Sequence, residues 1–421
     1  MYNTIFVVII AIILFNFILE RILGILNSSR LDLKLPEEVK DVYEPEQYQK
    51  SQDYKKVNDR FAIITSTFSL IVILLMLFMS GFAVADHIAR GVTGHPVLVA
   101  LLFFGMLMLA SDIINTPFSV YDTFVIEEKF GFNKTTVKTF ILDKLKGWLL
   151  GALIGGGLLA LIIWFYLQTR NLFWIYAWIA IAAFMIFMTM FYSTLIVPLF
   201  NRQTPLEEGE LRDAIQKFCE KAGFKLQNIF VIDGSKRSTK ANAYFSGLGA
   251  KKRIVLFDTL IQDMSVKEIV AVLAHEIGHY KKRHVLIGII IGIIQTGITL
   301  FIFSLLVDNP RLSEALGADQ PSFHLGLIAF GILYSPISLV SGLFMNIFSR
   351  KNEYDADKFT ARFNCQDDLI SALKKLSGKN LTNLTPHPAY VFFHYSHPTL
   401  LQRIRALKKE AGTGSVHGET A

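Results

Sequence analysis

Seven stretches of this chain are long and apolar enough to cross a bilayer, and this limits the fold more than any other feature. A membrane helix needs about 20 predominantly apolar residues. The stretches are Thr4–Leu26, Phe61–Ala85, Val97–Phe118, Gly147–Gln168, Phe173–Phe200, Val285–Val307 and Leu325–Ser349. Lipid offers no partner to a backbone N–H or C=O, so each stretch must satisfy its own hydrogen bonds as a helix. The expected fold class is mainly α, a seven-helix membrane protein. Composition agrees: 52% of residues are hydrophobic, only 18% are charged, and Phe alone supplies 35, which is unlike a soluble chain of this size. The first stretch has no basic residues ahead of it and no small-residue cleavage site behind it. It reads as a retained helix rather than a signal peptide.

Lys and Arg sort by side. With seven spans, segments 27–60, 119–146, 201–284 and 350–421 share one side and hold 7, 5, 15 and 11 basic residues. The opposite side holds only Arg90, Arg170 and Arg311. The basic side is expected to be cytoplasmic, with the N-terminus across the membrane. This sidedness accounts for the formal charge of +7 without nucleic acid as a partner. Two cysteines, Cys219 and Cys365, exclude a disulfide framework or a cysteine metal cluster and read as packing residues. Asn16, Asp112, Asn115, Gln295 and Asn346 interrupt the spans. Either they hydrogen-bond between helices or they line a water-filled chamber.

The expected domains are a membrane domain over 1–200, a soluble domain over 201–284, two membrane helices within 285–349, and a second soluble part over 350–421. In 201–284, Thr204-Pro205 with Glu207, Glu208 and Glu210 predicts a helix start. Asn228–Ile232 and Arg253–Phe257 predict strands, with Ala243-Tyr244-Phe245 a third candidate. Ser265-Val266-Lys267-Glu268 predicts a capping box opening a long helix. Gly412–Ala421 predicts a disordered tail.

The long helix carries His275-Glu276-Ile277-Gly278-His279. Histidines at i and i+4 share one helical face, so both imidazoles reach one metal ion, and neutral imidazole suits Zn2+. Glu276 beside that face can take a proton from an activated water and pass it to a leaving amine. The competing reading is a polar helix face that holds these residues by chance. A catalytic zinc keeps three protein ligands and an open position, and the third ligand can be His, Asp or Glu. Glu353-Tyr354-Asp355-Ala356-Asp357 follows the seventh span. Glu353 can complete a His2Glu site, and Asp357, one turn on, can accept the outer N–H of a ligand histidine. The alternative is a solvated acidic turn beside Arg350 and Lys351.

Depth favours the metal. If the helix runs straight into the sixth span, His279 stands about 9 Å from that span, and Glu353 about 6 Å from the seventh. Two adjacent antiparallel helices would bring them together just outside the bilayer. Near the C-terminus, His397 and Arg403 are either oxyanion donors or, with Pro398, the start of a helix and a surface charge.

Taken together, these blocks resemble the type I CAAX prenyl proteases, membrane-embedded zinc metalloendopeptidases. The resemblance rests on Phe124–Thr135, Asn242–Phe245 with Lys252–Leu256, His275–His284, Glu353–Asp357 and His397–Arg403, in that order along nearly the whole chain. It implies a chamber enclosed by seven helices and a gluzincin-like zinc peptidase domain on the cytoplasmic side. His275, His279 and Glu353 would hold one Zn2+, with Glu276 as general base. Asn242 and His397 would position the scissile carbonyl, with Arg403 in support. Asn242, Ala243, Tyr244 and Phe245 would form an edge strand to which a substrate peptide adds. His284 would act behind the ligands or serve structure alone. The implied partners are the lipid bilayer and a peptide or protein substrate, prenylated or not. Lean loops suggest a bacterial inner membrane, with the endoplasmic reticulum membrane as the alternative. Two rivals remain: a quality-control peptidase of broad specificity, and a transporter or receptor, which would leave the His/Glu set unexplained.

Overall fold

The computed structural model describes residues 3–31, 33–224, 229–247 and 253–414. The membrane half comprises α1 (Thr4–Ser28), α2 (Pro45–Phe78), α3 (Gly81–Val92), α4 (Pro96–Tyr121), α5 (Val137–Leu150), α6 (Gly156–Thr169), α7 (Phe173–Leu195) and the short α8 (Val197–Phe200). The rest comprises β1 (Gln203–Pro205), α9 (Glu210–Lys221), β2 (Ile229–Ile232), β3 (Ala243–Ser246), β4 (Arg253–Phe257), α10 (Asp258–Asp263), α11 (Val266–Lys281), α12 (His284–Leu306), α13 (Pro310–Glu314), α14 (Phe323–Ala361), α15 (Gln366–Lys379), α16 (Pro388–His394) and α17 (Leu400–Gly414).

Among the described residues, six continuous helical stretches are long and apolar enough to cross a membrane. One of them, Val137–Phe200, is 64 residues long and includes α6 and α7, the fourth and fifth expected spans. These are joined by a 3-10 turn at Arg170–Leu172 and pack on each other. Many large apolar side chains on these helices face outward, Phe15, Leu153 and Phe344 among them, as a lipid-facing surface requires. Arg90 and Arg170 line one cavity, and Asn3 Nδ2 donates to the Arg311 carbonyl at 2.8 Å.

Several polar residues in the spans are satisfied between elements. Asn16 donates to Ser335 Oγ at 3.2 Å, Gln295 to Ser341 Oγ at 3.2 Å and Asn346 to the Phe393 carbonyl at 2.7 Å. Asp112 accepts from Lys144 at 2.7 Å and from Trp148 Nε1 at 3.1 Å. Asn115 bonds within its own helix, to the Ser111 carbonyl at 2.8 Å.

Four expectations need correction. The second span is not one helix over Phe61–Ala85. α2 begins at Pro45, ends at Phe78, and yields to α3 through Ser80 in the left-handed region (φ 54°). Thr204-Pro205 does not start a helix. It forms β1, antiparallel to β2, and α9 starts after Gly209. The zinc-motif helix does not run straight into the sixth span, because Arg283 (φ 60°) breaks the chain between α11 and α12. In the region expected to be a tail, α17 continues to Gly414, and 415–421 lie outside the described residues, as do Asn228 and Lys252.

The soluble core gathers around a four-stranded sheet of order β1-β2-β4-β3, with β2 and β4 parallel. Ile254 and Leu256 of β4 pack with Ile269, Leu273 and Ile277 of α11 and with Leu369 of α15. Segments from the membrane half enter the same core through Val39, Tyr43, Ile126, Phe130 and Phe132. The 124–135 segment, which begins in a π-helical turn over Asp122–Glu127, is also pinned to the connection between β2 and β3. Thr239 N–H donates to the Phe132 carbonyl at 3.1 Å, Lys134 N–H to the Arg237 carbonyl at 3.0 Å, and Lys240 Nζ meets Glu127 at 2.8 Å.

α11 opens with the expected capping box. Ser265 Oγ accepts from Glu268 N–H at 3.3 Å, and Glu268 Oε2 accepts from Ser265 N–H at 2.7 Å. The same carboxylate accepts from Ser371 Oγ at 2.6 Å and Lys375 Nζ at 2.7 Å, which ties α11 to α15. Burial alone would raise this carboxyl, but Lys375, Ser371 and Ser265 hold it down at about 2. Further along, α11 meets α14 closely. A Cβ on Gly278 would lie 3.1 Å from Ala356 Cα and 3.2 Å from both the Ala356 carbonyl oxygen and Phe359 Cβ. A mid-helix glycine costs about 1 kcal/mol relative to alanine, and here it permits an approach that a methyl group would block.

Two outcomes are expected. Because the Glu268 pKa is lower in the fold than its ordinary 4.5, its stabilisation is full above 4.5 and disappears as pH falls towards about 2. Glu268→Gln should therefore cost about 1–3 kcal/mol of stability at pH 7, seen as a lower unfolding temperature in detergent, with the gap to wild type narrowing on acidification. A constant gap from pH 7 to 3 would rule this out. Gly278→Ala should cost about 1–3 kcal/mol through overpacking, seen as earlier thermal unfolding. An unchanged melt would mean that the contact is not tight.

Candidate metal centre

Two helices build the site. α11 presents His275 and His279 on one face, and α14 presents Glu353 and Asp357, also one turn apart. The Gly278–Ala356 contact lies between them. His275 Nε2 and His279 Nε2 are 3.1 Å apart, 3.4 Å and 3.2 Å respectively from Glu353 oxygens. One ligand atom from each of these three residues lies within 4.8 Å of the other two. Among the described residues, this is the one group of three or more His, Cys, Asp or Glu so arranged.

Each imidazole is also held from behind. His275 Nδ1 lies 2.9 Å from Asp357 Oδ1, which leaves Nε2 directed at the site. His279 Nδ1 lies 3.0 Å from His284 Nδ1. Asp357 is in turn gripped by buried Arg403, whose Nε and Nη2 donate at 2.9 Å and 2.6 Å. Arg403 Nη1 stands 3.6 Å from Glu353 Oε2. Arg403 therefore lies behind the ligands, engaged with Asp357, and is not free over the site as a direct oxyanion donor would be. His397 Nδ1 lies 3.0 Å from Glu353 Oε2, yet its side chain is 64% exposed, so it sits at the mouth of the site. Glu276 is half-buried next to His275.

The environment favours positive charge at His275. Burial and the Arg403 guanidinium both oppose it, but hydrogen bonds to Asp357 and Glu353 prevail and raise the imidazole to about 9. Glu353 Oε2 is buried and makes no hydrogen bond of acceptable geometry. A buried carboxylate whose nearest neighbours are imidazole nitrogens, none in good hydrogen-bond geometry at Oε2, is costly unless a cation meets it. This carboxylate and the two facing Nε2 atoms fit a metal ion with borderline-soft preferences.

The candidate substrate strand also lies at an edge. Among the described residues β3 pairs only with β4, with Ala243 opposite Leu256 and Tyr244 opposite Val255, and ends the strand order. Asn242 is exposed. Its Oδ1 accepts from Ala243 N–H at 2.8 Å, and its carbonyl accepts from Phe257 N–H at 3.1 Å. Tyr244 Oη is 3.4 Å from Ser193 Oγ of α7, so the strand meets a membrane helix. Phe245 continues the strand opposite Ile254. The residue that sequence reasoning missed is Gly278. Its signal was available, since a glycine inside a strong helix pattern needs a packing reason.

Residues 26–202 match the family described as CAAX prenyl protease N-terminal, five membrane helices, and residues 205–411 match peptidase family M48. The chain is 34% identical over 402 residues to CAAX prenyl protease 1 of Saccharomyces cerevisiae, covering 89% of each. It is 35% identical over 405 residues to the CAAX prenyl protease 1 homolog of Arabidopsis thaliana, covering 94% of this chain and 95% of that one. The human homolog is 31% identical over 420 residues, at 89% and 88% coverage. The fold superposes on the crystal structure of S. mikatae Ste24p with a TM-score of 0.90 at 34% identity, over 96% of this chain and 99% of that one. With matching sequence, matching fold and a His-His-Glu set on paired helices, this multi-pass membrane chain belongs to the CAAX prenyl protease family, a family of membrane metallopeptidases.

Proposed function

We propose that the chain is a zinc endopeptidase that cleaves CAAX-type, prenylated or otherwise membrane-associated peptides at the cytoplasmic face of its membrane. The observation that carries this reading is the convergence of His275, His279 and Glu353 within 4.8 Å beside Glu276. His275, His279 and Glu353 would hold the ion, and its ligand chemistry selects zinc. When bound, zinc supplies Lewis-acid polarisation of a water and of the scissile carbonyl.

The chain's own residues do the rest. Glu276 accepts the proton of the attacking water and delivers it to the leaving nitrogen. His397, exposed at the mouth of the site, donates to the developing oxyanion. Asp357 fixes the His275 tautomer. Arg403 is a positioning residue that holds Asp357 in place, and His284 does the same for His279. β3 offers its free edge to an extended substrate, whose backbone pairs with Ala243–Phe245 while Asn242 fixes the scissile carbonyl. Support for a prenylated substrate comes from the printed names of the relatives. We place a lipid-accommodating chamber between the membrane helices, on the strength of the family resemblance. The membrane is the endoplasmic reticulum if the chain shares the eukaryotic setting of those relatives, and a bacterial inner membrane if its lean loops reflect its host.

Glu276→Gln should retain zinc but lose about 10²–10⁴-fold in turnover. The check is metal analysis alongside cleavage of matched farnesylated and bare CAAX peptides, and unchanged turnover would remove Glu276 from the mechanism. Glu353→Ala should purify without zinc. Full metal content in that variant would place the third ligand elsewhere.

A further inference from the structure

We propose that a basic cavity at the membrane boundary, beside α14 at Arg350 and Tyr354, binds the phosphate headgroup of an anionic phospholipid. The cavity has a volume of about 590 Å³. Four cations line it, Arg30, Lys34, Arg350 and Arg405, and no acidic residue among the described ones does. Their charge is only partly neutralised. Arg405 Nε meets Glu38 at 2.8 Å. Arg350 Nη1 donates to the Tyr395 carbonyl at 2.5 Å, which holds the side chain without cancelling its charge. Arg30 and Lys34 are exposed and have no acidic partner among the described residues.

Depth points to a lipid. Arg30 lies just past the end of α1 at Ser28, and Arg350 just past the apolar run of α14 that ends at Ser349. Both cations therefore stand where headgroups lie, on the end of the molecule that carries the peptidase core. The walls are apolar, with Leu33, Val391 and Phe392 contributing, and Phe392 is 44% exposed. An amphipathic cavity of this kind suits a phosphate with acyl chains attached better than a fully solvated anion. Clusters of Lys and Arg directly cytoplasmic of membrane helices recognise anionic lipids through the same physics. Tyr354 and Thr399 also line the cavity, next to Glu353 and near His397 in sequence, so an occupant would touch the elements that carry the site. The inference needs only the membrane setting and is independent of the peptidase reading.

The test is native mass spectrometry of the full-length protein in detergent, titrated with phosphatidylglycerol or phosphatidylcholine. Phosphatidylglycerol should be retained in preference. The double variant R30Q/K34Q should bind it about 30-fold more weakly, each cation near an anionic lipid being worth about fivefold. The charge-matched control K217Q/K267Q, on exposed lysines elsewhere, should bind like wild type. Equal weakening in both double variants would overturn the site. Displacement of the lipid by millimolar inorganic phosphate would also overturn the lipid assignment, leaving a site for a free anion. A measurement on the wild type covers the case in which R30Q/K34Q does not fold. Phosphatidylglycerol, but not phosphatidylcholine, should protect Lys34 from acylation by an amine reagent, and equal labelling under both lipids would refute the proposal.

Discussion

The close contact between α11 and α14 is the constraint on which the site depends. Side chains of Glu353 length reach an ion bound by two histidines only if the helix axes lie near each other, and Gly278 against Ala356 sets that approach. The partner surface is helix backbone, which cannot yield as a flexible side chain would. The rest of the soluble core supports this contact. The capping box and the Glu268–Lys375 pair fix the start of α11, and β4 with α15 packs along its other faces.

Behind the candidate metal ligands lies a buried charged array. Arg403 and Asp357 are both buried, and desolvating them is costly. The geometry offsets this cost with two charge-assisted hydrogen bonds and a third contact to His275. Glu353, Asp357 and Arg403 together carry one net negative charge, which a proton on His275 balances before any metal binds. A metal ion held by His275, His279 and Glu353 would replace that proton and supply the positive charge that the carboxylates face.

Much of this was legible in the sequence because it rests on local rules. Apolar run length marked the membrane helices, short apolar runs marked β2 and β4, and Ser265 with Glu268 marked the start of α11. The i and i+4 spacing put His275 with His279, and Glu353 with Asp357, on common faces. What escaped was decided by backbone conformation or tertiary partners. Hydropathy is blind to a left-handed residue, so Ser80 and Arg283 broke helices that read as continuous. Thr204-Pro205 carries a helix-start pattern, yet pairing with β2 claims it. The partner of Arg403 was also hidden, because nothing local reveals that Asp357 takes up its guanidinium.

The break at Arg283 has a topological result. The two ligand histidines precede it on α11, whereas Glu353 belongs to the same unbroken helix as the apolar body of α14. An ion shared by the three would close a chelate ring whose backbone path runs out through α12, past α13 and back along α14. Its fastening would reach well beyond the chemistry. It would tether a transmembrane hairpin at its open end, so that metal occupancy and the seating of two helices in the bilayer become one linked equilibrium.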